Sequence, residues 1–327
     1  MTDRLNYRYD VVVIGGGAAG LNGAMMLARS RRSVVVLDAG QPRNAPAEGV
    51  HGLLGLDGTN PLELLARGRA EVRRYGGEVL SAAVTSVTRA DEFVVSLADG
   101  RTVRARRLLV ATGLVDELPD IPGMRARWGR DVLHCPYCHG WEVRDQAIGV
   151  IATGPYSVHQ ALLFRQLSED VRVFANDVPL PDRGQLTARG IPVVEGKVAA
   201  LEIANDRLVG VRLADGTVVG REAIAVATRM VARADFLAPL GLHPAEHPMG
   251  EYIAADANGL TAVPGVWVAG NVTNLAAQVG AAAAAGALAG AHINADLVAE
   301  DVRMAPFSAE SEARVTELVM GDRRHGV

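Results

Sequence analysis

The stretch "VVIGGGAAGLNGAMMLARSRRSVVVLDAG" (residues 12–40) reads as a strand, a glycine-rich turn, a helix and a second strand. Its glycines at 15, 17 and 20 have the spacing G-x-G-x-x-G, directly after an apolar, β-branched run. Gly15 allows the tight turn, and Gly17 lets a pyrophosphate approach the N–H groups at the start of the helix. Gly20 permits close packing of the helix on the strand. The stretch therefore predicts a dinucleotide-binding fold.

An acidic residue completes this pattern. Asp38 ends the second strand, about 20 residues after the turn, where a carboxylate accepts hydrogen bonds from ribose hydroxyls. The glycine spacing alone is a weak signal, but here the strand, turn, helix, strand and acid follow in the required order. We therefore expect a working dinucleotide site near the N-terminus.

The same plan returns later in the chain. The segment "GVIATGPYSVHQALLFRQLSEDVRVFAND" (149–177) begins 137 residues after the first, at 149 rather than 12. In the same way, "VSLADGRTVRARRLLVATG" (95–113) is matched by "VRLADGTVVGREAIAVATR" (211–229), with the same Asp-Gly hairpin turn. Two copies of a βαβ start followed by a β-meander predict an α/β protein with two Rossmann-like nucleotide-binding domains.

The second copy lacks several features of the first. The positions of the three glycines read Ala152, Gly154 and Ser157, and the position of the acid reads Ala175. A methyl at 152 crowds the turn, Ser157 loosens the packing, and no arginine pair follows to hold a 2′-phosphate. We expect a degenerate second site. The alternative is that it still binds a nucleotide, with Asp177 holding the ribose.

Length and composition set wider limits. With 327 residues, 49% of them apolar and 21% charged, the chain is long enough for two globular domains. A net charge of -4 without runs of like charge predicts neither a nucleic acid nor a membrane partner. The apolar segment 11–28 could pass for a signal sequence or membrane span, but its glycines favour a strand running into a helix. We therefore expect a cytoplasmic protein, in a compartment that keeps thiols reduced.

The chain has only two cysteines, and both lie in "HCPYCHGWE" (134–142). Pro136 suits the first position of a helix, which places Cys135 at a helix N-terminus, where the pKa of a thiol falls. Cys138 follows about one turn later, close enough for a disulfide after a small adjustment. The cationic form of His139 is disfavoured in the first turn of a helix, so this side chain suits a base for a thiol proton. The pattern predicts a redox-active pair.

The motif Cys-x-x-Cys-His also fits two other kinds of site. The motif matches the attachment signature of c-type haem, which normally belongs to exported proteins. Structural zinc requires four ligands, and the remaining candidates, His243 and His247, lie in a Pro-bounded loop without ligand spacing. We expect neither haem nor metal.

Together these motifs resemble the low-molecular-weight thioredoxin reductase family over nearly the whole chain. Further matches are "ATG" (111–113) and "VWVAGNVTNLAAQVGAAAAAGALAGAHI" (266–293). The second resembles the family's C-terminal flavin motif, with Gly270-Asn271 in place of Gly-Asp.

This resemblance implies a domain organisation, a cofactor and an assembly. Residues 1–117 and 243–327 would form an FAD-binding domain, and residues 118–242 an inserted domain of the NAD(P)H type that carries the cysteines. Family members are usually homodimers, and we carry that expectation over to this chain.

Departures from the reductase pattern point to one branch of the family. Reductases carry an aspartate after the second cysteine and a His-Arg-Arg segment after the second glycine turn. This chain has His139 and Ala175-Asn176-Asp177 instead. With "DAGQPRN" (38–44) and "HGLLGLDG" (51–58), it resembles the FAD-dependent dithiol oxidases that close disulfides in natural products such as gliotoxin and holomycin.

The resemblance also implies roles for individual residues. Cys135 would exchange with a small-molecule dithiol, Cys138 would face the flavin, and His139 would manage protons. Electrons would pass through FAD to molecular oxygen and give hydrogen peroxide. The implied FAD contacts are Gly15, Gly17, Gly20, Asp38, Arg43, Asn44, Gly270, Asn271 and Gln278. An NAD(P)H-dependent thioredoxin or disulfide reductase, and a redox-sensing flavin module, are the alternative functions.

Overall fold

The computed structural model describes residues 7–305 and 309–320. The strands are β1 (Arg8–Ile14), β2 (Val34–Asp38), β3 (Glu78–Ser81), β4 (Val84–Arg89), β5 (Phe93–Leu97), β6 (Thr102–Val110), β7 (Leu114–Glu117), β8 (Val132–Leu133), β9 (Ile148–Ile151), β10 (Val171–Phe174), β11 (Val193–Val194), β12 (Val198–Ala204), β13 (Arg207–Leu213), β14 (Val218–Val219), β15 (Ala223–Val226), β16 (Arg229–Ala232), β17 (Ala245–His247), β18 (Gly250–Tyr252) and β19 (Val266–Val268). The helices are α1 (Ala18–Arg29), α2 (Pro61–Arg74), α3 (Met124–Arg127), α4 (Pro136–His139), α5 (Tyr156–Phe164), α6 (Arg183–Ala188), α7 (Val279–Met304) and α8 (Ala309–Met320). Short 3₁₀ turns span Trp141–Val143, Asp235–Leu240 and Gly270–Val272.

The first sheet has seven strands in the order β3-β2-β1-β6-β5-β4, with β19 also paired to β6. The strands β3, β2, β1, β6 and β19 run parallel, whereas β4 and β5 pair antiparallel. The central strands are buried on both faces, which explains their unbroken apolar runs. Because β19 comes from the far end of the chain, both ends contribute to this sheet. We call this sheet with α1, α2 and α7 the first domain.

The second sheet repeats the plan with five parallel strands in the order β11-β10-β9-β15-β8. An antiparallel sheet of β12, β13 and β14 accompanies it. We call β8 to β15 with α3 to α6 the second domain. The predicted α/β fold with two Rossmann-like domains is confirmed.

Two strands join the domains. The chain leaves the first sheet through β7 and returns through β16, and the two pair antiparallel within the sheet β17-β18-β16-β7. The domain limits expected after 117 and after 242 stay a prediction. Residues 1–6, 306–308 and 321–327 of the expected first domain lie outside the described residues.

The alanine- and glycine-rich helix α7 packs directly on α1. A Cβ on Gly290 would lie 2.8 Å from the carbonyl oxygen of Gly23, and one on Gly286 would collide with the carbonyl oxygen of Ala19. Only glycine permits this close approach of two helix backbones. Across residues 7–305 and 309–320, no helix combines the length and apolar character that crossing a membrane requires.

Candidate active site

A cavity of about 1330 Å³ lies between the two domains and is lined by both. Its walls include the first glycine turn, the segment Leu133–His139 with both cysteines, and the second-domain turn Thr153–Tyr156. All the flavin contacts expected from the sequence line it, except Gly20. A Cβ on Gly20 would collide with the carbonyl oxygen of Gly15, in keeping with a packing role for this glycine.

The first glycine turn has the shape of an anion cradle. Gly15 has φ +105°, and a Cβ there would collide with the backbone of Ala111. Helix α1 begins after Gly17 without a side-chain cap, so the first-turn N–H groups are left for a ligand. A Cβ on Gly17 would meet no atom within 4 Å. The protein leaves space at Gly17 that the pyrophosphate of a dinucleotide fits.

Asp38 stands beside this turn. Its Oδ1 accepts from the N–H of Gly40 at 3.1 Å, and its side chain packs where a Cβ on Gly16 would be. Asp38 also lines the cavity. These contacts hold the carboxylate at the end of β2, where a ribose would lie.

Asn271 also lines the cavity. Its side-chain amide donates to the carbonyl oxygens of Asn274 at 3.0 Å, Leu275 at 3.3 Å and Ala277 at 2.9 Å. An aspartate has no donor and could not make these bonds. The asparagine at this position therefore fixes the loop that leads to Gln278, the N-cap of α7.

Cys135 and Cys138 form a disulfide, with their Cα atoms 5.3 Å apart. Cys135 is the N-cap of the one-turn helix α4, and Pro136 occupies its first turn, as expected from the sequence. The N–H of Cys138 points at Sγ of Cys135, at 3.2 Å. After reduction, this donor would favour a thiolate on Cys135.

Two histidines flank the disulfide and line the cavity. Burial lowers the pKa of His139 below its ordinary value, with a smaller contribution from His51, while Glu142 and Glu48 act in the opposite direction. Burial also lowers the pKa of His134, whose Nδ1 lies 3.3 Å from the carbonyl oxygen of Val226. Both rings are therefore neutral at pH 7.

Sequence reasoning assigned no role to His134. The signal was present, because a histidine stands on each side of Cys-x-x-Cys in "HCPYCH". Its position in the cavity, however, depends on the contact with β15, which is distant in sequence.

The segment 51–58 connects the first domain to the redox motif. Nε2 of His51 lies 3.3 Å from Oε1 of Glu142, in the 3₁₀ turn that follows α4. Its Nδ1 lies 3.3 Å from Oδ2 of Asp57. This imidazole therefore bridges carboxylates of the two domains, beside His139.

The second glycine turn also lines the cavity, but its own side chains hydrogen-bond to its backbone. Ser157 is fully buried, and its hydroxyl accepts from the N–H of Thr153 at 3.1 Å. The hydroxyl of Thr153 donates to Ala227 at 2.8 Å. The expectation that Ser157 loosens the packing was therefore wrong, because the side chain is fully buried and its hydroxyl binds the backbone of the turn.

The expected ribose end of the second turn is also occupied. Asn176 donates to the carbonyl oxygen of Ala152 at 3.3 Å and accepts from the N–H of Val198 at 3.0 Å. Ala175 is buried, and Asp177 lies outside the cavity lining. These contacts favour the degenerate second site over the alternative in which Asp177 holds a ribose.

Within the described part of the chain, no three His, Cys, Asp or Glu side chains are grouped so that they could hold a metal ion. His247, considered above as a zinc ligand, accepts at Nδ1 from the N–H of Met249 at 3.1 Å.

Two dinucleotide-type domains around a cavity with a redox disulfide define the class of protein: a flavin-dependent thiol–disulfide oxidoreductase. A family model described as pyridine nucleotide-disulphide oxidoreductase matches residues 9–286, and the chain belongs to this family.

Individual relatives agree. Thioredoxin reductase tcpT of Claviceps purpurea (strain 20.1) is 33% identical over 310 residues, which cover 89% of this chain and 95% of the relative. Thioredoxin reductase sirT of Leptosphaeria maculans is 29% identical over 315 residues, covering 90% and 96%. The crystal structure of HlmI superposes with a TM-score of 0.85 at 48% identity and covers 95% of this chain and 97% of HlmI. The thioredoxin reductase-like relationship expected from the motifs is confirmed.

Proposed function

We propose that the enzyme is an FAD-dependent dithiol oxidase that closes a disulfide in a small-molecule dithiol and passes the electrons to oxygen. One contrast carries this proposal. The redox disulfide and both glycine turns line one cavity, but only the first turn has an acidic residue, Asp38, at the ribose position. In the second turn, Ser157 already binds the N–H of Thr153, and Ala175 stands in place of the acid. Substrate thiols then remain as the electron source. The resemblance to the oxidases of gliotoxin- and holomycin-type compounds supports a natural-product dithiol.

The chemistry at the cysteines balances as a thiol–disulfide exchange. One substrate thiolate attacks Cys135, which forms a mixed disulfide and releases Cys138 as a thiolate. The second substrate thiolate then attacks the substrate sulfur of the mixed disulfide, so a cyclic disulfide leaves and both cysteines are reduced. His139 accepts a proton from a substrate thiol and returns it to a cysteine thiolate. Two electrons and two protons have then moved from the substrate to the pair.

Reoxidation of the pair involves the cofactor. Bound FAD would take the two electrons from the cysteine pair and deliver them to oxygen, giving hydrogen peroxide. We propose that Cys138 faces the flavin, that the turn at Gly15 and Gly17 holds the pyrophosphate, and that Asp38 holds a ribose. The flavin contacts of Asn44, Gly270, Asn271 and Gln278, the homodimer and the cytoplasmic location belong to the same proposal. Gly20 instead serves helix packing, and two guanidinium nitrogens of Arg43 bind Asp116.

The decisive experiment omits nicotinamide. When the yellow protein is mixed anaerobically with excess dithiothreitol, its flavin absorbance should disappear as fast as the enzyme turns over. Admission of air should then restore the absorbance and form hydrogen peroxide. NADPH and NADH should bleach the flavin at no more than trace rates, because the second turn has no acid for a ribose and its Thr153 N–H is already bound by Ser157. Rapid bleaching by NADPH with none by dithiols would instead establish the reductase alternative.

The His139→Gln variant should oxidise dithiols more slowly by on the order of 10² to 10⁴ at pH 7, the usual effect of losing an acid–base group. In the wild type, the rate should rise with pH as His139 loses its proton, at a pKa that burial lowers below the ordinary value for histidine. The variant should lack this limb of the pH profile. Stopped-flow measurement of flavin bleaching from pH 5 to 8 tests both statements.

A matched control for this variant is His159→Gln, in the same cavity. It should keep the wild-type profile. An unchanged profile in the His139 variant would show that this ring only packs.

A further inference from the structure

A partly buried ion pair lies where the two domains join. Nε and Nη2 of Arg43, in the first domain, donate to the two carboxylate oxygens of Asp116 at 2.6 and 2.7 Å. Asp116 lies in β7, the strand that leads out of the first domain, and only 5% of its side chain is exposed. Its Oδ1 also accepts from the hydroxyl of Thr228 at 2.7 Å, directly before the returning strand β16. One carboxylate thus ties together three segments.

The Asp116 carboxylate stays ionised in this position. Burial acts to raise its pKa, but the guanidinium of Arg43 and the hydroxyl of Thr228 hold the pKa below its ordinary value. A bidentate arginine–carboxylate pair is directional as well as strong, because two parallel hydrogen bonds fix both planes. We call Arg43, Asp116 and Thr228 the junction node.

The junction node is connected to the redox pair. Strand β15 ends at Val226, two residues before Thr228, and the carbonyl oxygen of Val226 lies 3.3 Å from Nδ1 of His134. Cys135 follows His134 directly. On its other side, Gln160 donates to the carbonyl oxygen of His134 at 2.7 Å. A continuous series of contacts therefore leads from Arg43 to the first cysteine.

We propose that Arg43, Asp116 and Thr228 are positioning residues, which hold the cysteine pair against the flavin side of the cavity. This inference rests on the proposed oxidase function, in which electrons pass from the pair to the flavin. Passage of electrons between a thiolate and a flavin requires contact between them. A junction that fixes the second domain on the first therefore sets the rate of that step.

This role makes a different prediction from a direct flavin contact by Arg43. Two of the guanidinium nitrogens already bind Asp116, so a contact to the flavin falls to Nη1. If Arg43 mainly contacts the flavin, Arg43→Met should weaken FAD binding, whereas Asp116→Asn should leave FAD binding unchanged. If it serves the junction, Arg43→Met and Asp116→Asn should have the same effect.

The experiment compares Asp116→Asn, Arg43→Met and the double variant, each alone and combined with Cys135→Ser. We expect FAD content as in the wild type, at least tenfold slower anaerobic bleaching by dithiothreitol, and unchanged reoxidation by air. The double variant should be no slower than the slower single one, because the two residues act as a unit. In Cys135→Ser alone, the free Cys138 thiolate facing the flavin should give a charge-transfer absorbance band at long wavelength. This band should weaken when each junction variant is combined with Cys135→Ser. If the Arg43 and Asp116 variants fold poorly, the milder variant Thr228→Val replaces them. It should show the same effects to a smaller degree.

The matched control is Asp131→Asn. Asp131 pairs with Arg127 and accepts from the N–H of Leu208, entirely within the second domain. Dithiothreitol should bleach the flavin of the Asp131→Asn variant at the wild-type rate.

Three outcomes would overturn the inference: wild-type bleaching in both single variants, equal slowing in Asp131→Asn, or loss of FAD confined to Arg43→Met. Failure of the proposed function looks different, because dithiols would then leave the wild-type flavin oxidised. The band in the Cys135→Ser background needs no substrate and would still test the positioning role.

Discussion

Cys138→Ser is expected to slow anaerobic flavin bleaching by dithiols by on the order of 10³ or more, as the loss of a group that reacts covalently does. Without Cys138 the chain has no disulfide to take electrons from a dithiol, and no thiolate remains at the position proposed to face the flavin. FAD content should be unchanged, because no predicted flavin contact is altered. Stopped-flow absorbance under argon measures the loss.

The variant of the other cysteine, Cys135→Ser, is the matched control for the proposal that Cys138 faces the flavin. It should be equally inactive, but it leaves Cys138 as a free thiolate facing the flavin. A broad absorbance band beyond the flavin's own spectrum should therefore appear in Cys135→Ser and be absent from Cys138→Ser. The opposite pattern would exchange the roles of the two cysteines.

Gly17→Val should give a folded protein without flavin. The backbone at Gly17 has φ -80°, which valine adopts easily, and a Cβ there meets no protein atom within 4 Å. The side chain would instead fill the space for the pyrophosphate and keep it from the N–H groups of α1. Losing two charge-assisted hydrogen bonds at about 1.5–3 kcal/mol each weakens binding by on the order of 10² to 10⁴. Flavin absorbance per protein and titration with FAD measure this loss.

The second turn offers a control of the same size and chemistry. Gly154 occupies the position equivalent to Gly17, also lines the cavity, and a Cβ there is equally unobstructed. Gly154→Val should stay yellow and be bleached by dithiols as the wild type is. If Gly154→Val were colourless and Gly17→Val yellow, the flavin would bind in the second domain, which would contradict the proposal.

The fold could be predicted because its signals are local. Glycine spacing, the acid at 38 and the repeat of one plan all lie within short segments whose chemistry is governed by backbone geometry. The start of α4 at Pro136 and the pairing of the cysteines follow in the same way from spacing along one turn of helix.

What could not be predicted depends on residues far apart in sequence. The pairing of Arg43 with Asp116 joins residues 73 positions apart, and the bridge from His51 to Glu142 requires the relative placement of two domains. No short pattern encodes either contact. Ser157 was misjudged for another reason. The glycine rule considers only the size of a side chain, whereas the hydroxyl of Ser157 also supplies an acceptor for the turn.

The way both chain ends build the first sheet has a consequence for synthesis on the ribosome. Strand β19 and helix α7 complete the sheet and cover α1, yet they are translated after the whole second domain. Domains fold as units while the chain emerges, at about 5–20 residues per second. The second domain can thus close while β1, β6 and α1 still wait for residues 266–304. The apolar faces of these elements therefore stay uncovered for several seconds or more during translation. The cofactor can bind to the completed first domain only at the end of translation.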